Sequence, residues 1–218
     1  MVDLLDFSEK ITKFYLVRHG ETEATNGGKI CGHLDLDLTT DGIADIEDVA
    51  DWFCTVPIDA IFCSPLKRTS QSADIIAKAT KHSTFFKHSG LIEKKEGVWE
   101  GKTYWQIRDE DSKLWEKWSK NPIDFAPPDG ESIKDLVHRV GRAIEDIIKN
   151  QKKGNNLVLV THAGVIRAFL IHALKIPVEN FFRIDVPPAS ISRIDWSDNF
   201  ATLKFTGLDP AIHEAMVV

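Results

Sequence analysis

The chain has 218 residues, 43% hydrophobic and 28% charged, with a formal net charge of −6. These values fit one soluble globular domain over residues 1–218 and argue against a disordered chain. They also disfavour a nucleic-acid or anionic-membrane binder, so any basic anion site must be concentrated locally.

Met1 to Lys10 carries Asp3, Asp6 and Glu9 and no apolar core, so no signal peptide is expected there. Phe14 to Val17 is a short apolar run of strand type that ends in Arg18-His19-Gly20. Helical spacing of Ile43, Ile46, Val49, Ala50 and Phe53 predicts a helix over Asp41 to Cys54, capped by Thr39 or Thr40. Asp59 to Cys63 reads as a second strand. A helix is expected from Ser64-Pro65 to about Ala79, with proline suited to a first turn. Phe85 to Phe86 is a third strand leading into Leu91-Ile92-Glu93. Lys94 to Asn121 reads as irregular, tryptophan-rich helix, and 94–128 as a small cap inserted into the domain. A proline loop from Pro122 to Gly130 precedes a long helix from Ser132 to Lys149.

Leu157 to Val160 reads as a buried strand and Gly164 to Leu174 as a helix. Ile191 to Trp196 and Phe200 to Phe205 alternate around Ser197-Asp198-Asn199 as a hairpin. Strands alternating with helices predict a three-layer α/β sandwich around a mostly parallel sheet. Such sheets bind ligands at the carboxyl ends of their strands. Arg18-His19, Ser64 to Arg68, Glu93 and Thr161-His162 all fall at predicted strand ends.

The residue types suit phosphate chemistry. Arginine offers a planar fork of donors to phosphate oxygens. A neutral histidine offers a nitrogen nucleophile near pH 7. Glu93 is a candidate general acid because a partly desolvated carboxyl holds its proton to higher pH; Glu96 and Glu100 are its rivals. His162, between strand and helix, is placed to donate to a transferring phosphoryl group. The sequence contains no ligand-spaced metal motif such as HExxH, so no metal and no cofactor are expected. Cys31, Cys54 and Cys63, odd in number and without CxxC, read as reduced thiols of a cytoplasmic protein.

The motifs, in order, are Arg18-His19-Gly20-Glu21-Thr22, Gly32-His33-Leu34-Asp35 with Leu38-Thr39 and Gly42, Ser64-Pro65-Leu66-Lys67-Arg68-Thr69, Leu91 to Gly101, Gly130-Glu131-Ser132 and Thr161-His162-Ala163-Gly164. On these the chain resembles the histidine phosphatase superfamily, also called phosphoglycerate mutase-like. The resemblance implies that His19 is phosphorylated, that Arg18, Arg68 and His162 complete a phosphate pocket, and that Glu93 donates the proton. It also implies substrate contacts from Cys31, Gly32 and the backbone amide of Ala163. The family usually has asparagine six positions after the nucleophile. This chain has Thr25 there and Asn26 next, so either residue is a candidate contact.

The resemblance further implies a metal-independent phosphatase acting on a small phosphomonoester, with no nucleic-acid or membrane partner. Gly97-Val98-Trp99-Glu100-Gly101 and Pro128 to Ser132 look like the phosphatase branch, near α-ribazole phosphatase-like and broad-specificity members. A cofactor-dependent phosphoglycerate mutase and a non-catalytic phosphate- or phosphopeptide-binding module are the alternatives. Trp99, Trp105, Trp115 and Trp118 are expected to be core of the helical cap, or else a lid over the pocket. His33, His82 and His138 are read as surface residues, and the oligomeric state is left open.

Overall fold

The computed structural model describes residues 11–198 and 200–211. The expectation about Met1 to Lys10 and the turn residue Asn199 lie outside the described residues. Six strands form one sheet: β1 (Thr12–Arg18), β2 (Ala60–Cys63), β3 (Phe86–Lys87), β4 (Asn156–Thr161), β5 (Ile191–Ser197) and β6 (Phe200–Leu208). Their order is β3-β2-β4-β1-β5-β6. The first four are parallel, and the β5–β6 hairpin pairs antiparallel to β1.

Period-two alternation assigns each side chain of β1 to one face of the sheet. Phe14 and Leu16 join a core with Leu136, Val140 and Ile144 of α6 (Ile133–Asn150) and Val165 and Phe169 of α7 (Ala163–Leu174). Tyr15 and Val17 join the opposite core, with Ile46, Val49 and Phe53 of α2 (Thr40–Phe53) and Ala73 and Ile76 of α3 (Lys67–Ala79). Burial on both faces explains why β1 and β4 read as continuous apolar runs. The three-layer sandwich expected from the sequence is the observed architecture.

Register then sets up the site. Arg18 pairs with Thr161, and Cys63 pairs with Val160. The three central strands therefore end level, and His19, Ser64 and His162 follow them at one edge.

The structure corrects several boundaries. The helix expected from Ser64-Pro65 begins at Lys67, because Leu66 is still extended as the N-cap and Ser64 Oγ receives its amide. The third strand is only Phe86–Lys87, and a 3-10 turn at Ser89–Leu91 separates it from Glu93. Glu93 is thus presented by a loop rather than by a strand end. The irregular region resolves into a 3-10 turn at Gly97–Trp99, α4 (Tyr104–Glu110) and α5 (Ser112–Lys120). A one-turn helix, α1 (Glu23–Asn26), is added after β1 and closed by a capping box between Thr22 and Thr25. All three cysteines are unpaired.

Candidate functional site

His19 is nearly inaccessible, and its ring is fixed from both sides. Nδ1 lies 2.7 Å from the carbonyl of Gly20, which requires a proton on Nδ1 and leaves the lone pair on Nε2. Arg68 Nε donates to that Nε2 at 3.2 Å. The backbone can fold this tightly because residue 20 is glycine: a Cβ there would strike the main chain of Gly42 on α2.

Arg68 is fully buried, an unusual place for a guanidinium. Its other nitrogens donate to the carbonyls of Leu34, at 2.7 Å, and Gly32, at 3.0 Å. One side chain therefore fixes both the imidazole and the 31–35 loop. Arg18 anchors one terminal nitrogen on Val186 O at 2.7 Å, while its Nε is buried without a protein partner. His162 lies edge-on to His19, with ring centroids 5.1 Å apart. Its Nε2 meets Ser64 Oγ at 2.8 Å, and its buried Nδ1 has no protein partner. Arg18 and His162 thus each keep one buried polar atom without a protein partner.

Burial, then the positive fields of Arg68 and Arg18, hold the pKa of His19 well below the usual histidine value. Burial, Arg68 and the neighbouring His19 do the same for His162. Both imidazoles are neutral in the folded state, whereas unfolding lets each bind a proton below pH about 6.5. Their folded pKa values are lowered, so their contribution is full above the unfolded value. It shrinks as pH falls through the window beneath it, by roughly 1.4 kcal/mol per pH unit for each ring. Denaturant midpoints should therefore fall between pH 7 and 5, and those of His162→Gln should fall less steeply. Equal slopes for the two proteins would show that these rings do not govern the acid sensitivity.

Glu93 reaches the same cleft from the opposite side. Its carboxylate accepts the amides of Lys94 at 2.8 Å and Gly164 at 3.3 Å, the latter in the first turn of α7. A Cβ on residue 164 would collide with this carboxylate, so glycine is required for the approach. The two rivals are otherwise engaged. Glu100 Oε1 receives the amides of His33 and Glu96. Glu96 lies in the cleft wall but is paired with Lys94 at 2.8 Å, and its pKa is raised by burial.

The Glu93 main chain is held by two residues whose role the sequence did not indicate. Arg139 of α6 donates to the carbonyls of Gly90, Ile92 and Glu93 at 2.9–3.3 Å, and Glu131 grips the same guanidinium at 2.8 and 2.9 Å. His33 Nε2 lies 2.8 Å from the carbonyl of Glu93. The reading of His33 as a surface residue is thereby corrected. His82 is likewise tied down, to Thr80 and Ile58, whereas His138 is exposed.

Arg18, His19, Arg68 and Glu93 line one cleft of about 240 Å³. His162 stands behind His19. Cys31 and Gly32 also line the cleft, and Ala163 begins α7 beside it. Thr25 is in the wall, where its hydroxyl accepts the Thr22 amide at 2.8 Å and lies 2.9 Å from the Thr22 carbonyl. Asn26 is exposed, turned toward Glu21, and not part of the wall.

The four tryptophans divide. Trp99 and Trp118 line the cleft, Trp115 packs against Trp118, and Trp105 is exposed beneath Arg108. Tyr104, Arg167, Phe181 and Phe182 also line it, and sequence reasoning missed them. Arg167 follows the Thr161-His162-Ala163-Gly164 motif by one helical turn, a signal that could have found it. Among the described residues no cluster of three or more His, Cys, Asp or Glu side chains could hold a metal, and no helix is long and apolar enough to cross a membrane.

A mostly parallel three-layer sandwich with a buried imidazole and two arginines gathered at its strand ends has the histidine phosphatase fold. The family model of the histidine phosphatase superfamily (branch 1) matches residues 14–208, and the chain belongs to that superfamily. It is 29% identical over 192 residues to the adenosylcobalamin/alpha-ribazole phosphatase of Salmonella typhimurium, covering 88% of this chain and 94% of that protein. It is 32% identical over 189 residues to the "Probable phosphoglycerate mutase GpmB" of Proteus mirabilis, covering 85% of each. The crystal structure of the alpha-ribazole phosphatase from Shigella flexneri superposes with a TM-score of 0.83 at 26% identity, covering 90% of this chain and 96% of that one. Relatives named as phosphatases support a phosphatase enzyme.

Proposed function

We infer that the protein is a metal-independent phosphomonoester hydrolase that works through a phosphohistidine at His19. The observation that carries this reading is the imidazole whose Nδ1 is tied to Gly20 O while Nε2 meets Arg68 in the cleft shared with Arg18 and Glu93. Arg18, Arg68 and His162 bind the phosphate oxygens and neutralise their charge. Cys31, Gly32 and Thr25 wall the pocket, and the Ala163 amide faces the anion from the helix start. Asn26, turned toward Glu21 outside the wall, is left out of the binding set in this reading.

His19 Nε2 attacks phosphorus as the bond to the alcohol oxygen breaks, and Glu93 gives its proton to the leaving alkoxide. A water then attacks the phosphohistidine and passes a proton to the Glu93 carboxylate. Free phosphate leaves, and His19 returns to neutral. The 94–128 segment serves as a cap of the single domain, closing over the substrate.

Brief incubation with ³²P-labelled phosphomonoester in EDTA, followed by an alkaline quench, should leave label on His19. Label on another residue, or activity abolished by EDTA, contradicts the reading. The similarity to the mutase-named protein favours a second outcome, tested with 3-phosphoglycerate plus 2,3-bisphosphoglycerate. The hydrolase releases phosphate; a mutase yields 2-phosphoglycerate.

The Arg139 clamp makes a further expectation. Arg139→Ala frees the Glu93 main chain, and a misplacement near 1 Å is worth about 10² in rate. An alkyl phosphate, which needs its leaving group protonated, should lose about a hundredfold in kcat. p-Nitrophenyl phosphate, whose leaving group departs readily as an anion, should lose much less. Equal losses for both esters would show that Arg139 does not act through the acid.

A further inference from the structure

The phosphate end of the cleft is built from buried cations, but its outer wall is different in kind. Tyr104 of α4 and Trp118 of α5 are stacked, with centroids 5.5 Å apart and planes 23° from parallel. Phe182, from the 3-10 turn at Val178–Arg183 more than sixty residues along the chain, meets Trp118 edge-on at 6.3 Å. Tyr104 and Phe182 are 42% and 49% exposed, and α5 has no buried residue at all. These rings are therefore not the interior of a helical cap. Two chain segments bring partly exposed aromatic surface to the mouth of the same cleft that holds His19. Exposed apolar surface concentrated in a cleft with a polar end marks a ligand groove.

Of the cations in this part of the wall, Lys94 is ion-paired with Glu96, Arg167 is engaged through one nitrogen, and Lys29 has no ion pair among the described residues. Arg167 donates from Nε to Ile184 O at 2.8 Å and lies over the ring of Phe181. Ring faces dominate this part of the wall, with the terminal nitrogens of Arg167 and the Lys29 ammonium as the donors left over, so carboxylated esters are the competing class to test.

We propose that the alcohol portion of the substrate is a flat aromatic or extended apolar body, seated against Tyr104, Trp118 and Phe182 while His19 and its arginines hold the phosphate. The inference rests on the hydrolase reading and names the substrate class of that site. Stacked and edge-on aromatic contacts add to the gain from area burial. Two or three such contacts amount to a preference of roughly ten- to a hundredfold in kcat/KM.

The test compares esters whose leaving alcohols have similar basicity, so that binding rather than chemistry decides. 2-(1-Naphthyl)ethyl phosphate should exceed ethyl phosphate at least tenfold in kcat/KM, and should also exceed 3-phosphoglycerate and O-phosphoserine. Phe182→Ala and Trp118→Ala should each narrow the naphthylethyl-to-ethyl ratio about fivefold, through KM. Neither side chain is fully buried, so both variants should fold, which circular dichroism checks. Turnover of all esters at similar kcat/KM, a preference for the carboxylated esters, or an unchanged ratio in both variants overturns the inference while leaving His19 labelling intact. Failure of every ester to turn over or to label His19 overturns the hydrolase reading and this inference with it.

Discussion

His19→Ala should take up no phosphate label and lose activity on the order of 10⁴-fold, the scale of losing a covalent nucleophile. The reason lies in how the ring is held. Its Nδ1 proton is committed to Gly20 O, so Nε2 is the nitrogen facing Arg68 with a lone pair to give. Burial and the two arginines keep that lone pair unprotonated at pH values where an ordinary histidine has become a cation. In the proposed mechanism Nε2 attacks as its bond from Arg68 Nε gives way, with no separate base. Arg68 retains its bonds to Gly32 and Leu34 in the variant, so the pocket should persist. Inorganic phosphate should still protect the variant against thermal unfolding. A variant with wild-type turnover shows that the nucleophile lies elsewhere. One that loses both turnover and phosphate protection shows that His19 is needed to build the pocket, not only to react.

What the sequence revealed follows the range of the forces involved. Phe14 to Val17 is apolar at every position because both faces of β1 are buried, and that composition can be read without knowing the partners. The strand-end positions of His19, Arg68 and His162 followed from the same reasoning, since parallel strands of matched register finish together. Glu93 was read at a strand end, but a loop presents it. The 3-10 turn before it is fixed by Leu91, buried against α6, and by Arg139 forty-six residues later, neither of which leaves a local pattern.

The outer wall was hidden for a related reason. The apolar residues of α5 face the cleft and the neighbouring cap rings, so their spacing could not separate core from lid. Phe182 pairs with Trp118 only through the tertiary fold. Thr25 and Asn26 could not be told apart from their neighbouring positions alone; the fold puts Thr25 in the cleft wall and Asn26 outside it. The capping box, in which the Thr25 hydroxyl accepts the Thr22 amide, sets that placement.

Arg68→Ala should be the most damaging change that leaves the nucleophile in place. The side chain is wholly inaccessible and bonds to three groups, namely His19 Nε2, Gly32 O and Leu34 O. Removing it strips a cation from the proposed phosphate site, worth about 10²–10³ in rate by analogy with an oxyanion donor. It also strands two carbonyls, at about 1–3 kcal/mol for each buried acceptor left unpaired. The loop that carries His33, and through it the Glu93 carbonyl, loses its anchor as well. The expected sum is about a thousandfold in kcat/KM and on the order of 3–5 kcal/mol of stability. For a chain of this length that stability loss lowers Tm by roughly 10 °C. Arg68→Lys separates the two effects. An ammonium restores one positive charge but cannot present a planar fork to three acceptors at once. It should recover part of the phosphate affinity while the Tm stays depressed. Full recovery of both by lysine would mean that charge alone matters and that the bonds to Gly32 and Leu34 are incidental.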